Sequence, residues 1–292
     1  MERNTKVEII MKLIEPKVEL LSELNISPES HIARCSRICY GHENKEPNQE
    51  ADKKMVDGLI KRGHLSMLRH SSAYFSFISE IPTDFISEYV NIKRLKDYIC
   101  ASTNKQFTLE SDNKAELNNY TPLEFLRLCK EFPELFEIYR LTFCITTQIS
   151  TSRELNRKSP NAIAERSTRY CSSKDGLLIC RPWWFKHSIE DITKGNCTYA
   201  EKWYYDNMIN TEEVYKVLLD TNMRPEDARG ILPLDTATKV IYTYSIKEWQ
   251  HILDLRLYDK TGKAHPNVHV VMQMVKDQIN NFAKEHNIDY KV

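Results

Sequence analysis

Three short segments of this chain gather the side chains that could do chemistry. The first, residues 152–171, reads SRELNRKSPNAIAERSTRYC and sets Arg153, Arg157, Lys158, Arg166 and Arg169 against only Glu154 and Glu165. Thr151 followed by Glu154 reads as a capping box that starts a short helix. Arg153 and Arg157 are four apart and share a face. Pro160 disfavours helical geometry at Ser159 and ends the helix there. In an extended chain beyond the break, Glu165, Ser167 and Arg169 point to one side, because side chains alternate with period two. A carboxylate, a hydroxyl and a guanidinium beside a helical Arg suit a phosphate joined to a polar ring. Arg supplies forked donors to phosphate oxygens, and a hydroxyl donates or accepts. A solvated, salt-bridged surface segment has the same composition, so the residues alone leave both readings open.

The second segment is TNMRPEDARGILPLDTATK, 221–239. Pro225 suits a first helical position, and Glu226 and Asp227 complement the positive end of the helix. Gly230 and Pro233 stop the helix within two turns. Arg229 therefore projects from a short, rigidly punctuated element, either toward an anion or toward a neighbouring carboxylate. In the third segment, SIKEWQHILDLRLYDK, Ser245 and Glu248 form a capping box, and the helix starts at about Ile246. Trp249, Ile252 and Leu253 make its apolar stripe, and Arg256 falls within it. A charge at a core-facing position needs a partner; a structural carboxylate and a bound anion or polar ring both qualify.

The elements that must position these groups are mixed. Strands are expected over 6–14, 72–79, 141–147 and 238–245, and helices over 27–40, 50–62 (ending at Gly63) and 266–286. Residues 82–140 read as a mostly helical insertion within a single domain spanning 1–292. Strands and helices without strict alternation make the class α+β. With 41 % hydrophobic and 28 % charged residues, the composition is that of a soluble globular protein. The 41 basic and 41 acidic residues cancel, which argues against a nucleic-acid polymer as partner. Charges interrupt every apolar run, so neither a membrane span nor a signal peptide is expected, and a cytoplasmic location follows. The eight cysteines include no Cys-x-x-Cys pair and read as reduced thiols, several of them in the core. His265 and His269, and likewise His64 and His70, lack the Cys or carboxylate that would complete a metal site.

Taken together the segments resemble the flavin-dependent thymidylate synthases. That family carries an R-H-R-x7-S signature; here Arg157, Lys158 and Ser159 stand at the triplet, and Ser167 closes the motif before Thr168-Arg169-Tyr170. PEDARGILP is similar to the family's segment before its central strand, WQHILDLR to its final substrate-binding helix, and GHLSMLRHSSAYFSF to its G-H-x-S-x-x-E-H stretch. The resemblance places Glu154, Arg157, Glu165, Ser167, Arg169, Tyr170, Arg229 and Arg256 on deoxyuridine monophosphate (dUMP). It places Ser66, Arg157, Lys158, Ser159, Ser245, Lys247 and His251 on the FAD cofactor. The departures are concentrated on the flavin side: Lys158 and Ser159 replace His and Arg, Arg69 replaces Glu, and Ser245 and Lys247 replace the Asn and Arg of an Asn-x-Arg contact. Arg to Ser at 159 removes a bidentate donor.

The resemblance implies methylation of dUMP to dTMP with methylenetetrahydrofolate and NADPH as co-substrates and no enzyme cysteine as nucleophile. It also implies a homotetramer whose sites combine several subunits. In that picture Arg256 polarises the ring, and Arg229 and Arg169 hold the phosphate with Ser167. Action on another pyrimidine nucleotide, altered chemistry such as hydroxymethylation, and a non-catalytic nucleotide-binding paralogue stand as alternatives.

Overall fold

A computed structural model describes residues 11–43, 45–46, 48–72, 74–77, 117–157, 162–168 and 176–292. Strand β1, Lys12–Ile14, falls at the end of the strand expected over 6–14, of which residues 6–10 lie outside the described residues, and a further strand, β2, Lys17–Leu20, was not expected. Helix α1, Pro28–Cys39, begins as expected, with the Ser27 side chain accepting from Ser30 N and Pro28 in the first turn. Helix α2, Gln49–Lys61, is capped by Asn48 and closes at Gly63, whose φ of 73° suits a residue without Cβ. A 3-10 turn, Leu65–His70, leads into β3, Tyr74–Phe77.

Within the stretch 82–140, expected to be mostly helical, the described part also holds a strand, β4, Leu117–Tyr120, paired antiparallel with β3. Helix α3, Pro122–Glu131, and a 3-10 turn, Pro133–Ile138, follow. Residues 78–116 lie outside the described residues. The remaining elements are β5 (Arg140–Gln148), α4 (Ile149–Leu155), β6 (Ile163–Glu165), β7 (Leu178–Cys180), α5 (Ile189–Thr193), α6 (Tyr199–Asp220), α7 (Pro225–Ala228), β8 (Ala237–Ser245), α8 (Ile246–Arg256) and α9 (Pro266–Glu285). The class is α+β, as expected.

The central sheet is antiparallel in the order β2-β5-β8-β6, and β1 pairs with β7 in a separate parallel ribbon. Strands β5 and β8 pair along their full length, from Arg140 opposite Ser245 to Gln148 opposite Ala237. This register sorts their side chains onto two faces. Leu141, Phe143 and Ile145 join Tyr244, Tyr242 and Val240 on one face and pack on Trp249, Ile252 and Leu253 of α8 and Val268, Val271, Met272 and Val275 of α9. The other face places Cys144 and Ile241 against Ile32, Cys35 and Ile38 of α1 and Val56 and Leu59 of α2. Helices therefore cover both sides. The buried Arg37–Asp52 ion pair ties α1 to α2. The buried Glu212 carboxylate of α6 accepts from Met11 N at 2.9 Å and Leu177 N at 3.1 Å, which pins the β1–β7 ribbon to that helix.

Within the second face lies a polar chain. His31 Nε2 meets Thr142 Oγ1 at 3.0 Å, Thr142 Oγ1 meets Thr243 Oγ1 at 2.8 Å, and Thr243 Oγ1 meets His70 Nδ1 at 2.8 Å. Burial lowers the pKa of His31 to about 4 and of His70 to about 3, with Arg140 adding to both effects. Both rings are neutral when folded at pH 7, whereas in the unfolded chain they protonate near 6.5. Below that value the unfolded state binds more protons, so stability is present at neutral pH and is lost as pH falls. Between pH 6.5 and 4.5 each ring removes about 1.4 kcal/mol per pH unit. Urea titrations across this range should show a steep fall that His70→Gln makes shallower; a midpoint unchanged from pH 7 to 4.5 contradicts this account.

Candidate functional site

Strands β5 and β8 run directly into helices, β5 into α4 and β8 into α8, and because the strands are antiparallel the two helices start at opposite ends of the ladder. A nine-residue pairing spans about 30 Å. Helices of seven and eleven residues span about 10 and 16 Å. The C-terminal ends of α4 and α8 can thus meet only if both helices fold back over the same sheet face. They do: Leu155, Ile252 and Leu253 share one core cluster, and Glu154 Oε1 lies 3.5 Å from Arg256 Nη1. The side chains keep 25 % and 19 % of their surface accessible, so a ligand can reach the pair. Such an ion pair contributes about 1 kcal/mol or less to stability. Its consequence is orientation of the guanidinium. Of the two partners left open for Arg256, the structure supplies a carboxylate, and leaves the group within reach of solvent.

The helix carrying Glu154 starts at Ile149 with Gln148 as its cap, two residues before the expected start at Thr151. Thr151 forms no capping box with Glu154; its hydroxyl donates to Gln148 Oε1 at 2.9 Å. Strand pairing explains this, since the register that sets Gln148 opposite Ala237 holds it extended up to the first helical residue. Strand β6 ends at Glu165, so the extended alternation expected through Ser167 and Arg169 stops early; Ser167 N donates to Cys39 O at 3.2 Å.

Around Glu165 the structure assembles a network that spacing did not reveal. Ser152 Oγ donates to Glu165 Oε1 at 2.7 Å, Asn156 Nδ2 to Glu165 Oε2 at 3.5 Å, and the Tyr242 hydroxyl to Asn156 Oδ1 at 2.7 Å. These bonds clamp α4 to β6 and β8 and fix the helix that carries Glu154. Burial and the Glu165 charge both push the Tyr242 pKa well up, so it stays a donor. The signal available in the sequence was a Tyr on the inward face of a strand, where a buried hydroxyl needs a partner.

Three residues beyond Glu165, Thr168 Oγ1 accepts from Arg229 Nη1 at 2.9 Å, and Arg229 Nε donates to Glu226 O at 3.1 Å. Arg229 is exposed and is held by a hydroxyl rather than by a carboxylate. Arg157 is exposed, one residue beyond Asn156. No described contact joins Arg229 to Arg256; they are linked only through the 152–168 segment that each touches. Lys158, Ser159, Arg169 and Tyr170 lie outside the described residues.

On the expected flavin side, Ser66 is exposed on the 3-10 turn, His251 is exposed on α8, and Lys247 is exposed with Nζ 4.0 Å from Glu137. Their side chains are of kinds that can bind a diphosphate and a polar ring edge, but the turn carrying Ser66 packs with α1 on one sheet face and α8, carrying Lys247 and His251, covers the other, so no described contact brings them together. Ser245 fits less well: its hydroxyl donates to Glu248 Oε2 at 3.1 Å and accepts from Glu248 N, the capping box expected from the sequence. His265 caps α9 through Nδ1, and His269 bonds Asp259 at 2.9 Å, so both have structural work.

Residues 98–283, more than half of the chain, match the family described as thymidylate synthase complementing protein. The chain belongs to this family. All of the expected dUMP contacts fall inside the matched range, and Ser66 falls outside it. The chain is 25 % identical over 166 residues to the flavin-dependent thymidylate synthase of Synechocystis sp., covering 54 % of this chain and 75 % of that protein. It is equally 25 % identical over 166 residues to a probable flavin-dependent thymidylate synthase of Paramecium bursaria Chlorella virus 1, covering 53 % and 75 %. Among solved structures, a UMP/dUMP methylase PolB from Streptomyces cacaoi bound with 5-Br dUMP is similar at 17 % identity and TM-score 0.43, over 94 % of this chain and 93 % of that one. Thymidylate Synthase X from Helicobacter pylori with FAD and dUMP is similar at 14 % identity and TM-score 0.40, over 74 % and 97 %. Among the described residues no helix is long and apolar enough to cross a membrane.

If the Tyr242 hydroxyl holds α4 in place, Tyr242→Phe leaves the Asn156 amide oxygen without its donor. We expect a loss of about 1–2 kcal/mol in urea unfolding. An unchanged midpoint contradicts the clamp.

Proposed function

We propose that this protein is a flavin-dependent enzyme that methylates C5 of dUMP to give dTMP. Membership of the family supports the reaction class, and the Glu154–Arg256 pair at 3.5 Å is the observation that carries the substrate assignment. Arg256 donates to a carbonyl oxygen of the pyrimidine ring and draws electron density toward it, while Glu154 holds the guanidinium in the orientation that does so. Arg229, kept on the 162–168 segment by Thr168, and Ser167 next to it take the phosphate, with Arg169 and Arg157 adding charge. Glu165 acts mainly by positioning α4. Tyr170 closes the same segment.

Lys158, Ser159, Ser66, Lys247 and His251 would hold the FAD, with Ser245 contributing through its place at the strand end. When bound, reduced flavin supplies the hydride, methylenetetrahydrofolate the carbon and NADPH the electrons. The chain's own contribution is to bind and orient the ring and to dispense with a thiol: the described core cysteines Cys35, Cys129 and Cys144 are buried, and burial raises each thiol pKa, which suppresses the thiolate. A homotetramer in the cytoplasm completes the proposal. The second reading, a non-catalytic nucleotide-binding paralogue with a weakened flavin site, is favoured by one observation, the commitment of the Ser245 hydroxyl to its own helix cap.

A strain lacking its own thymidylate synthase should grow without thymidine when it expresses this chain, and the purified protein should show a flavin spectrum. A soluble, well-expressed protein that fails the rescue, or that binds dUMP yet cannot be reconstituted with FAD, contradicts the proposal. Arg256→Ala should weaken dUMP binding by about 1.5–3 kcal/mol, tenfold or more, with little change in unfolding. Unchanged affinity in a calorimetric titration contradicts the assignment of this helix.

A further inference from the structure

The segment that carries Ser167 and Thr168 leaves the sheet where β6 ends at Glu165. The register of β6 on β8, with Ala164 opposite Ile241 and Glu165 opposite Val240, runs on for one more residue, since Arg166 N donates to Lys239 O at 2.8 Å. Arg166 and Lys239 therefore stand directly opposite one another. Because side chains alternate, both lie on the sheet face covered by α1, where Ala164 and Ile241 pack. Like charges in such a cross-strand pair repel. Glu43 offsets the repulsion. Its Oε1 lies 3.0 Å from Lys239 Nζ and 3.8 Å from Arg166 Nη1, and among the described residues neither cation pairs with another carboxylate. Burial opposes ionisation of Glu43, but its own main-chain N–H and the two cations outweigh burial and hold the carboxyl below its usual range.

Local sequence explains why a carboxylate stands there. At the end of α1, Gly41 N donates to Ile38 O at 3.2 Å and His42 N to Arg37 O at 2.8 Å, with Gly41 at φ 71°. This left-handed closure favours glycine and turns the chain back across the helix end, so that Glu43 follows beside Lys239. The same helix end receives the segment itself, as Ser167 N donates to Cys39 O at 3.2 Å. Neighbouring residues of the segment are thus gripped from opposite faces of the sheet, Glu165 by Ser152 and Asn156, Arg166 by Glu43. Two residues past Arg166, Thr168 braces Arg229.

We propose, resting on the dUMP assignment above, that Glu43 is a positioning residue for the nucleotide: standing between Arg166 and Lys239, it holds Ser167 and Thr168 where, with Arg229, they take the phosphate. Glu43 touches no ligand and acts through Arg166. By charge alone a nearby carboxylate disfavours an anion, so its removal would tighten dUMP binding. Positioning predicts the reverse.

The test is calorimetric titration of the purified full chain with dUMP at pH 7 and constant ionic strength, with urea unfolding of the same proteins. Glu43→Gln, which keeps the shape and removes the charge, should bind dUMP about fivefold more weakly. Glu43→Gln combined with Lys239→Met, which removes one of the opposed cations, should return to within about twofold of the unaltered chain. Tighter binding by Glu43→Gln overturns the proposal, since charge alone then governs. Unchanged affinity with a lowered urea midpoint, the mark of a merely structural carboxylate, overturns it too, as does a double variant as weak as the single one. If Glu43→Gln does not fold, Glu43→Asp, which keeps the charge but draws it back from both cations, should weaken binding about twofold, and unchanged affinity overturns the proposal. No binding of dUMP by the unaltered chain overturns the dUMP assignment and this proposal with it; binding by the unaltered chain with no loss in Glu43→Gln overturns this proposal alone.

Discussion

The full-length antiparallel pairing of β5 with β8 is the constraint on which the rest of the molecule depends. It gives the sheet two unlike faces, one aromatic and aliphatic under α8 and α9, the other holding the Thr142–Thr243 pair under α1. It also sets the two helices that follow these strands at opposite ends of one ladder. Their lengths bring their C-termini together over it. A slip of one residue would move every side chain to the wrong face and separate Glu154 from Arg256. The geometry of the candidate site is therefore a property of strand register, more than of any contact within the site.

The site itself is built in layers. Glu154 and Arg256 face one another and remain accessible, while Glu165, Ser152, Asn156 and Tyr242 sit behind them and hold the helix. The ion pair adds little to stability, and the hydrogen bonds behind it add more. This division suits a protein whose proposed work is to orient a small anionic nucleotide and polarise its ring. Arg229, braced by Thr168 and by the Glu226 carbonyl, extends the cationic surface along the same 152–168 segment.

Local rules carried most of the secondary structure. Ser245 with Glu248, and Gly63, marked helix ends correctly, because helix ends depend on near neighbours in the chain. The start of α4 was misread for the opposite reason: Thr151 and Glu154 have the spacing of a cap, yet strand pairing with the distant Ala237 decided where the helix begins. The unexpected strand β2 follows β1 after two residues yet pairs with β5 while β1 pairs with β7, a choice of partners that no local pattern encodes. For the site, Glu154 and Arg256 were each legible through a motif, but their contact across 102 positions was not. The Tyr242–Asn156–Glu165 network was invisible for the same reason: hydrogen bonds between remote side chains leave no periodicity.

A crystal structure of the complete assembly soaked with dUMP tests the central claim most directly. The account predicts the pyrimidine ring against Arg256 at the end of α8, with the phosphate near Ser167 and Arg229, counting contributions from neighbouring subunits. A nucleotide bound elsewhere, with Arg157, Arg229 and Arg256 all far from it, contradicts the account.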